Sequence, residues 1–294
     1  MYPSRPFLLL VDAEASFSPR GTIPRTMTPH LITRVGSVGR ALMILAGMLM
    51  LLAGCGDAPA GLTFGPDDTS EARAYLDQAR SQLQDPDWGP ASIRAILLVE
   101  VGLHDQASQL ITEIEDTGDR ELVRGVLALR HGDHATVAEA VERILAEDPE
   151  DLAGLILKGE MELAKKDASA ARATAERILS VEGRNADAAV ILGRARLLEG
   201  NPDGADEWAR QAAEWDRGHA DAHLLRARVH LARGELQDAE AAMHRALRLD
   251  PLHPGARFLY GELIRRRSGD EALSEAMAHW RLALEVDPRQ GRAR

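Results

Sequence analysis

Between Ala220 and His253 the chain reads ADAHLLRARVHLARGELQDAEAAMHRALRLDPLH, short apolar runs interleaved with charge in a pattern that predicts two helices back to back. The first covers about Asp221 to Arg233 and ends at Gly234, a residue able to close a helix in the left-handed conformation. The second starts near Leu236 and stops before Pro251, because proline pushes the preceding residue out of helical geometry. Small residues fall where the two helices must touch: Ala227 on the first, Ala239 and Ala246 on the second.

The same pattern recurs every 34 residues. Ala186 to His219 puts Gly193, Gly200, Ala205 and Ala212 in the corresponding places, Leu152 to Asn185 gives Gly159 and Ala171, and Gly118 to Asp151 gives Gly125, Gly132 and Pro149. From Pro254 onward come Gly261, an insertion of three residues, then Ala276, Ala283 and Pro288. A sixth, shorter unit starts near Trp88 and carries Ala95, Gly102 and Ala107.

These units resemble the tetratricopeptide repeat, a 34-residue helix-turn-helix with small residues at positions 8, 20 and 27 and proline at 32. The resemblance implies an all-α fold, a right-handed superhelical solenoid of about six repeats over residues 88–288. The aromatic usual at position 4 is replaced by Glu121, Leu155, Ala189, His223 and Arg257, which implies less bulk at each interface.

Composition narrows the function. Only 4% of residues are aromatic against 45% hydrophobic, which suits close-packed small-residue helices and argues against a β fold. The net charge is −11, yet residues 1–54 hold five Arg against Asp12 and Glu14, so the remaining 240 residues carry −14. An acidic body repels phosphate backbones, which argues against nucleic acid as a partner and with it the helical-repeat RNA binders of similar period.

Residues 41–53, ALMILAGMLMLLA, form an uncharged run behind Arg34 and Arg40, too short for a bilayer span and suited to the apolar region of a secretory signal. The run ends in Leu52, Ala53, Gly54 and Cys55, which resembles the lipobox of bacterial lipoproteins. That resemblance implies cleavage before Cys55 and acylation there, a covalent lipid and no other cofactor. Several acyl chains, at about 0.8 kcal/mol per buried CH₂, hold a protein on a membrane where one does not. Gly56 after the cysteine favours an outer-membrane lipoprotein facing the periplasm; the alternative is the inner membrane. Met27 is a more conventional start for such a signal, so residues 1–26 are set aside as an extension. Residues 55–70 are rich in Gly, Pro and Asp and read as a flexible tether, residues 71–87 as an N-terminal capping helix packing on the first repeat, and residues 289–294 as a C-terminal tail.

In the resembling family the first helices line a concave groove through positions 2, 5, 9, 12 and 13. Carried over, the groove here shows Asp187, Val190, Arg194 and Leu197 on one repeat and Asp221, Leu224, Arg228 and Leu231 on the next. Arg194 and Arg228 hold equivalent places, bounded by Glu160 and Glu262, and a guanidinium pair of this kind can grip a carboxylate or a peptide carbonyl. The expected partner is therefore a protein or peptide in the groove, with the membrane reached only through the lipid. The bland alternative is that these arginines pair with Asp221 and other near neighbours.

Catalysis has no visible address: there is no strand to carry a phosphate loop or a nucleophilic serine. His131 with His134, and His219 with His223, have chelating spacing but no completing ligand, so no metal is expected. Trp208 and Trp215 share a helical face and are expected to pack between repeats. The sequence thus predicts a non-catalytic envelope scaffold for pilus, outer-membrane protein or polysaccharide machinery; the alternative is a holdase for secreted chains.

Overall fold

The structure, a computed structural model, describes residues 69–85 and 89–291. The extension, the signal, the lipobox with Cys55, most of the tether and Trp88 lie outside the described residues.

Among the described residues there are thirteen α-helices and no strand. Helix α1 (Thr69–Leu83) precedes six helical hairpins. These are α2 (Ala91–Glu100) with α3 (His104–Leu110), α4 (Thr117–His131) with α5 (His134–Glu147), and α6 (Leu152–Ala164) with α7 (Ala168–Val181). There follow α8 (Ala186–Leu198) with α9 (Pro202–Trp215), α10 (Ala220–Arg233) with α11 (Leu236–Leu249), and α12 (Pro254–Ser268) with α13 (Leu273–Val286).

Local chemistry sets the boundaries. Asp116, Asp133, Asp151, Asp167, Asn185 and Asn201 each cap a helix by accepting a backbone N–H three residues on. Gly132 and Gly234 close α4 and α10 in the left-handed region, at φ of 75° and 78°. At three turns between hairpins and at the turn after the last one an aspartate stands just past the helix end, and its carboxylate accepts the amide two residues later: Asp148, Asp216, Asp250 and Asp287.

The small residues sit where neighbours meet. A Cβ on Gly125 would lie 2.5 Å from Leu157 Cδ2, on Gly159 2.9 Å from Ile191 Cδ1, and on Gly193 2.3 Å from Leu225 Cδ2. In each case the intruding side chain belongs to the next first helix, 32 residues on, so one packing joint is repeated three times. Gly261 differs, since Trp280 from its own hairpin fills the space. Ala205, Ala227, Ala239, Ala246, Ala276 and Ala283 are fully buried. The three-residue insertion is absorbed by a longer α12 and a 3₁₀ turn at Gly269–Ala272. Trp208 and Trp215 are partly buried beside the α8 and α10 alanines.

Where position 4 lacks its aromatic, two repeats use ions instead. Glu121 accepts from Arg124 at 3.1 Å and Arg143 at 2.9 Å, and the fully buried Arg257 donates to the Pro251 carbonyl at 2.9 Å. Hydrogen-bonded charge can replace a ring only where each group keeps partners.

The capping helix does more than the sequence predicts. Helix α1 packs on α2 and also on α13, at the far end of the array. Leu252, Leu282 and Val286 share one continuous core with Ala72, Tyr75, Leu76, Leu97 and Leu98. Arg73 and Arg80 both bond the Glu285 carboxylate, and Arg130 ties Glu100 (2.8 and 2.9 Å) to Asp287 (3.0 Å). The solenoid is closed on itself, and the ends meet at a seam that no repeat register encodes.

Candidate functional site: the concave groove

The first helices α6, α8, α10 and α12 bring Glu160, Arg194, Arg228 and Glu262 into one row, because all four occupy position 9 of successive 34-residue units. Beside them runs a second row from position 2, made of Asp187, Asp221 and Gly255.

The two arginines have different surroundings. Arg194 donates from Nη1 to both carboxylate oxygens of Glu160, at 2.6 and 2.8 Å, and Asp221 adds its field from the following repeat. Burial works against the Arg194 charge, but these carboxylates more than offset it and its pKa is raised. Arg228 makes no hydrogen bond or ion pair among the described residues, and its Nε is buried without a partner. Burial, with Arg194 as a like charge alongside, pulls its pKa down to about 10.

The reason lies in the register. Glu262, one repeat beyond Arg228, is bonded to Arg265 at 3.2 Å rather than reaching back. At position 2 of that repeat stands Gly255 where the two preceding repeats have Asp187 and Asp221. A Cβ on Gly255 would lie 3.6 Å from the Arg228 guanidinium and 3.0 Å from Leu224. Arg228 thus faces a glycine where its counterpart Arg194 faces a carboxylate.

The aspartates of the second row are held by histidines from the next junction. His219 Nε2 meets Asp187 at 3.0 Å and His253 Nε2 meets Asp221 at 3.1 Å, the same rung repeated one unit apart. Burial alone would raise the Asp221 pKa, but His253, His219 and Arg194 together hold it far below the usual carboxylate range. His219 and His253 are shifted the other way, upward, through their aspartate bonds despite burial. Of the alternative in which the arginines pair with near neighbours, Arg194 does so with Glu160, whereas Asp221 bonds His253 rather than an arginine.

The remaining predicted groove residues divide by depth. Val190 and Leu224 are buried in helix packing, Asp187 is covered by its histidine, and only Leu197 and Leu231 stay partly open beside the arginines. Gly255 and His253 were not singled out from the sequence. The signal was present as a departure from the Asp of the two preceding repeats at position 2, readable only once the register of that row is given structural meaning.

The histidine pairs of chelating spacing do not converge on further ligands among the described residues. His131 Nδ1 contacts the Leu127 carbonyl at 3.0 Å, and its ring meets His104 edge-on. His230, Glu235 and Asp238 do gather ligand atoms within 4.8 Å at the α10–α11 turn. Both carboxylates are exposed, and Glu235 already bonds His230 Nδ1 at 2.6 Å, a surface ion pair of ordinary form. Three consecutive arginines, Arg265 to Arg267, end α12; Arg265 pairs with Glu262 and Arg267 with Glu240, so two of the three charges are locally held.

Comparison with known proteins agrees with this architecture. Family profiles of the tetratricopeptide repeat match residues 122–184 and 220–263. A thermophilic tetratricopeptide-repeat protein of Thermus thermophilus, TTC0263, is similar in structure with 24% identity and a TM-score of 0.50, over 58% of this chain and 92% of that one. Cut9, in the crystal structure of the APC/C hetero-tetramer Cut9-Hcn1, aligns at 15% identity and a TM-score of 0.52, over 74% of this chain and 42% of its own. No curated protein is similar enough in sequence to match. The chain carries tetratricopeptide repeats, and its fold is an all-α superhelical solenoid of them.

Proposed function

We propose that this chain is a non-catalytic interaction scaffold whose groove receives an extended segment of a protein partner, with a partner carboxylate bound by Arg228. The observation that carries the reading is Arg228 itself. A partly buried guanidinium with no bonded carboxylate, drawn only through space by Asp221 and Glu160, is costly, whereas its neighbour one repeat away bonds both oxygens of Glu160. A partner carboxylate beside Gly255 would give Arg228 what Asp221 and Glu160 give Arg194. Leu197 and Leu231 would supply apolar contact on either side.

The place of action is part of the same proposal. The Leu52-Ala53-Gly54-Cys55 motif supports lipidation at Cys55, and residues 56–68 supply a tether between that anchor and α1. No helix among the described residues is long and apolar enough to cross a membrane, which leaves the anchoring to the lipid in this reading. The scaffold then faces the periplasm from the outer membrane, serving an assembly or export machine. Replacing Cys55 with Ser should release the protein from membranes or leave it unprocessed, and unchanged acyl labelling would overturn the anchor.

The test of the groove is a crosslinked pull-down of the tagged, lipidated protein from membranes, comparing wild type with Arg228→Met. One dominant complex that disappears in Arg228→Met supports the scaffold and places its contact. A dominant complex unaffected by the substitution would overturn the groove assignment. Capture of many unrelated secreted chains would replace the scaffold with a holdase.

A further inference from the structure

The four turns closed by an aspartate are chemically alike, but the seam treats them differently. Asp148 is exposed and Asp216 partly so, whereas Asp250 and Asp287 are 3% and 0% exposed, because α1, α2 and the chain end cover them. Asp287 is compensated: Arg130 and Arg289 both bond its Oδ2, at 3.0 and 2.9 Å, and hold its pKa well below the usual range despite burial. Asp250 has no arginine. Its carboxylate accepts the Leu252 amide at 3.0 Å, and the charges that act on it through space are Glu100 from α2, Asp221 from α10 and His253 from its own turn, while its own charge reaches Tyr75 of α1.

None of these supplies a free cation. His253 meets Asp221 with Nε2, and its Nδ1 accepts the Ala256 amide at 3.4 Å. Arg130, the cation bonded to Glu100, is shared between Glu100 and Asp287. The neighbouring Leu252 belongs to the same core as Tyr75 and Leu76, so Asp250 can reach water only if the seam parts.

We propose that the seam is a proton-operated clasp: protonated Asp250 lets α1–α3 stay docked on the last repeats, and ionised Asp250 loosens them so that the closed array opens. Burial first, then the Glu100 and Asp221 charges, push the Asp250 pKa up to about 6, against the attraction of His253. The closed form therefore binds this proton more tightly than an open form in which Asp250 is solvated. Closure has its full support below the ordinary carboxylate range and loses it as pH rises through about 6. Between pH 5 and pH 7 the closed-to-open ratio should fall about tenfold.

Hydrogen exchange on the full chain tests this, with each segment corrected for the intrinsic pH dependence of exchange. Protection of the seam segments 72–83, 97–110 and 282–287 should drop about tenfold from pH 5 to pH 7 relative to the central helices α8 and α10. Asp250→Asn keeps the acceptor for the Leu252 amide and removes the ionisation, so its seam should stay protected and flat with pH. Asp216→Asn, the same change outside the seam, should behave as wild type, and protection of α8 and α10 reports that each variant is folded. A wild-type seam that follows the central helices at every pH, or a pH response that survives Asp250→Asn, would overturn the clasp.

Discussion

The middle of the molecule and its seam are held by different rules. From α4 to α11 the helices pack on neighbouring units, α4 alone also reaching the seam through Arg130, and one joint recurs: glycine at position 8 against the side chain 32 residues later. At the seam the tying residues are 157 and 212 apart, as in Arg130–Asp287 and Arg73–Glu285, and none has a counterpart elsewhere in the described array. A linear solenoid is stabilised by nearest neighbours alone, so its ends can fray independently. Closure couples the ends, and a change at one end of the chain is felt at the other.

Arg130 gives the strongest way to break this contrast. Arg130→Ala leaves Glu100 uncompensated at 3% exposure and strips Asp287 of one of its two arginines, so a loss of roughly 3–5 kcal/mol is expected. Chemical denaturation should show it, with α1 and α13 losing hydrogen-exchange protection together while the central repeats keep theirs. Separate loss at only one end would mean the seam does not couple them.

Gly102 comes next. It holds φ at 75°, and a Cβ there would lie 2.1 Å from the Glu285 carbonyl oxygen, so Gly102→Ala meets both backbone strain and a clash with main chain. A cost on the order of 3 kcal/mol follows, confined to the seam. Gly193→Leu is the matching insult in the middle, where Leu225 Cδ2 would be 2.3 Å from the new Cβ. Overpacking of this kind costs roughly 1–3 kcal/mol and should lower the melting temperature without opening the ends. Equal melting of Gly193→Leu and wild type would dismiss the shared packing joint.

The smallest expected effects separate stability from binding. Arg194→Met should cost about 1 kcal/mol by stripping Glu160 of its partner. Arg228→Met removes a partly buried charge that bonds no carboxylate and should be neutral or stabilising by about 1 kcal/mol, while abolishing capture of the partner. If Arg228→Met destabilises more than Arg194→Met, then Arg228 is a structural residue and the groove assignment is wrong.

The sequence by itself determined the helical hairpins, their period and their packing joints. Each unit repeats the same local problem, and Gly or Ala at position 8 answers it every time, with Ala at position 20 in every unit but the one that has Val137. It also brought Arg194 and Arg228 into one row, since a 34-residue step is one repeat of the solenoid. It did not show that the two differ, because pairing depends on which rotamer Glu160 and Glu262 adopt and on the absence of a side chain at Gly255. Nor did it show that Asp250 and Asp287 are buried while Asp148 is not. Only the tertiary structure decided that. The superhelical path accumulates a small rotation at every joint, and whether its ends meet depends on the sum over all of them.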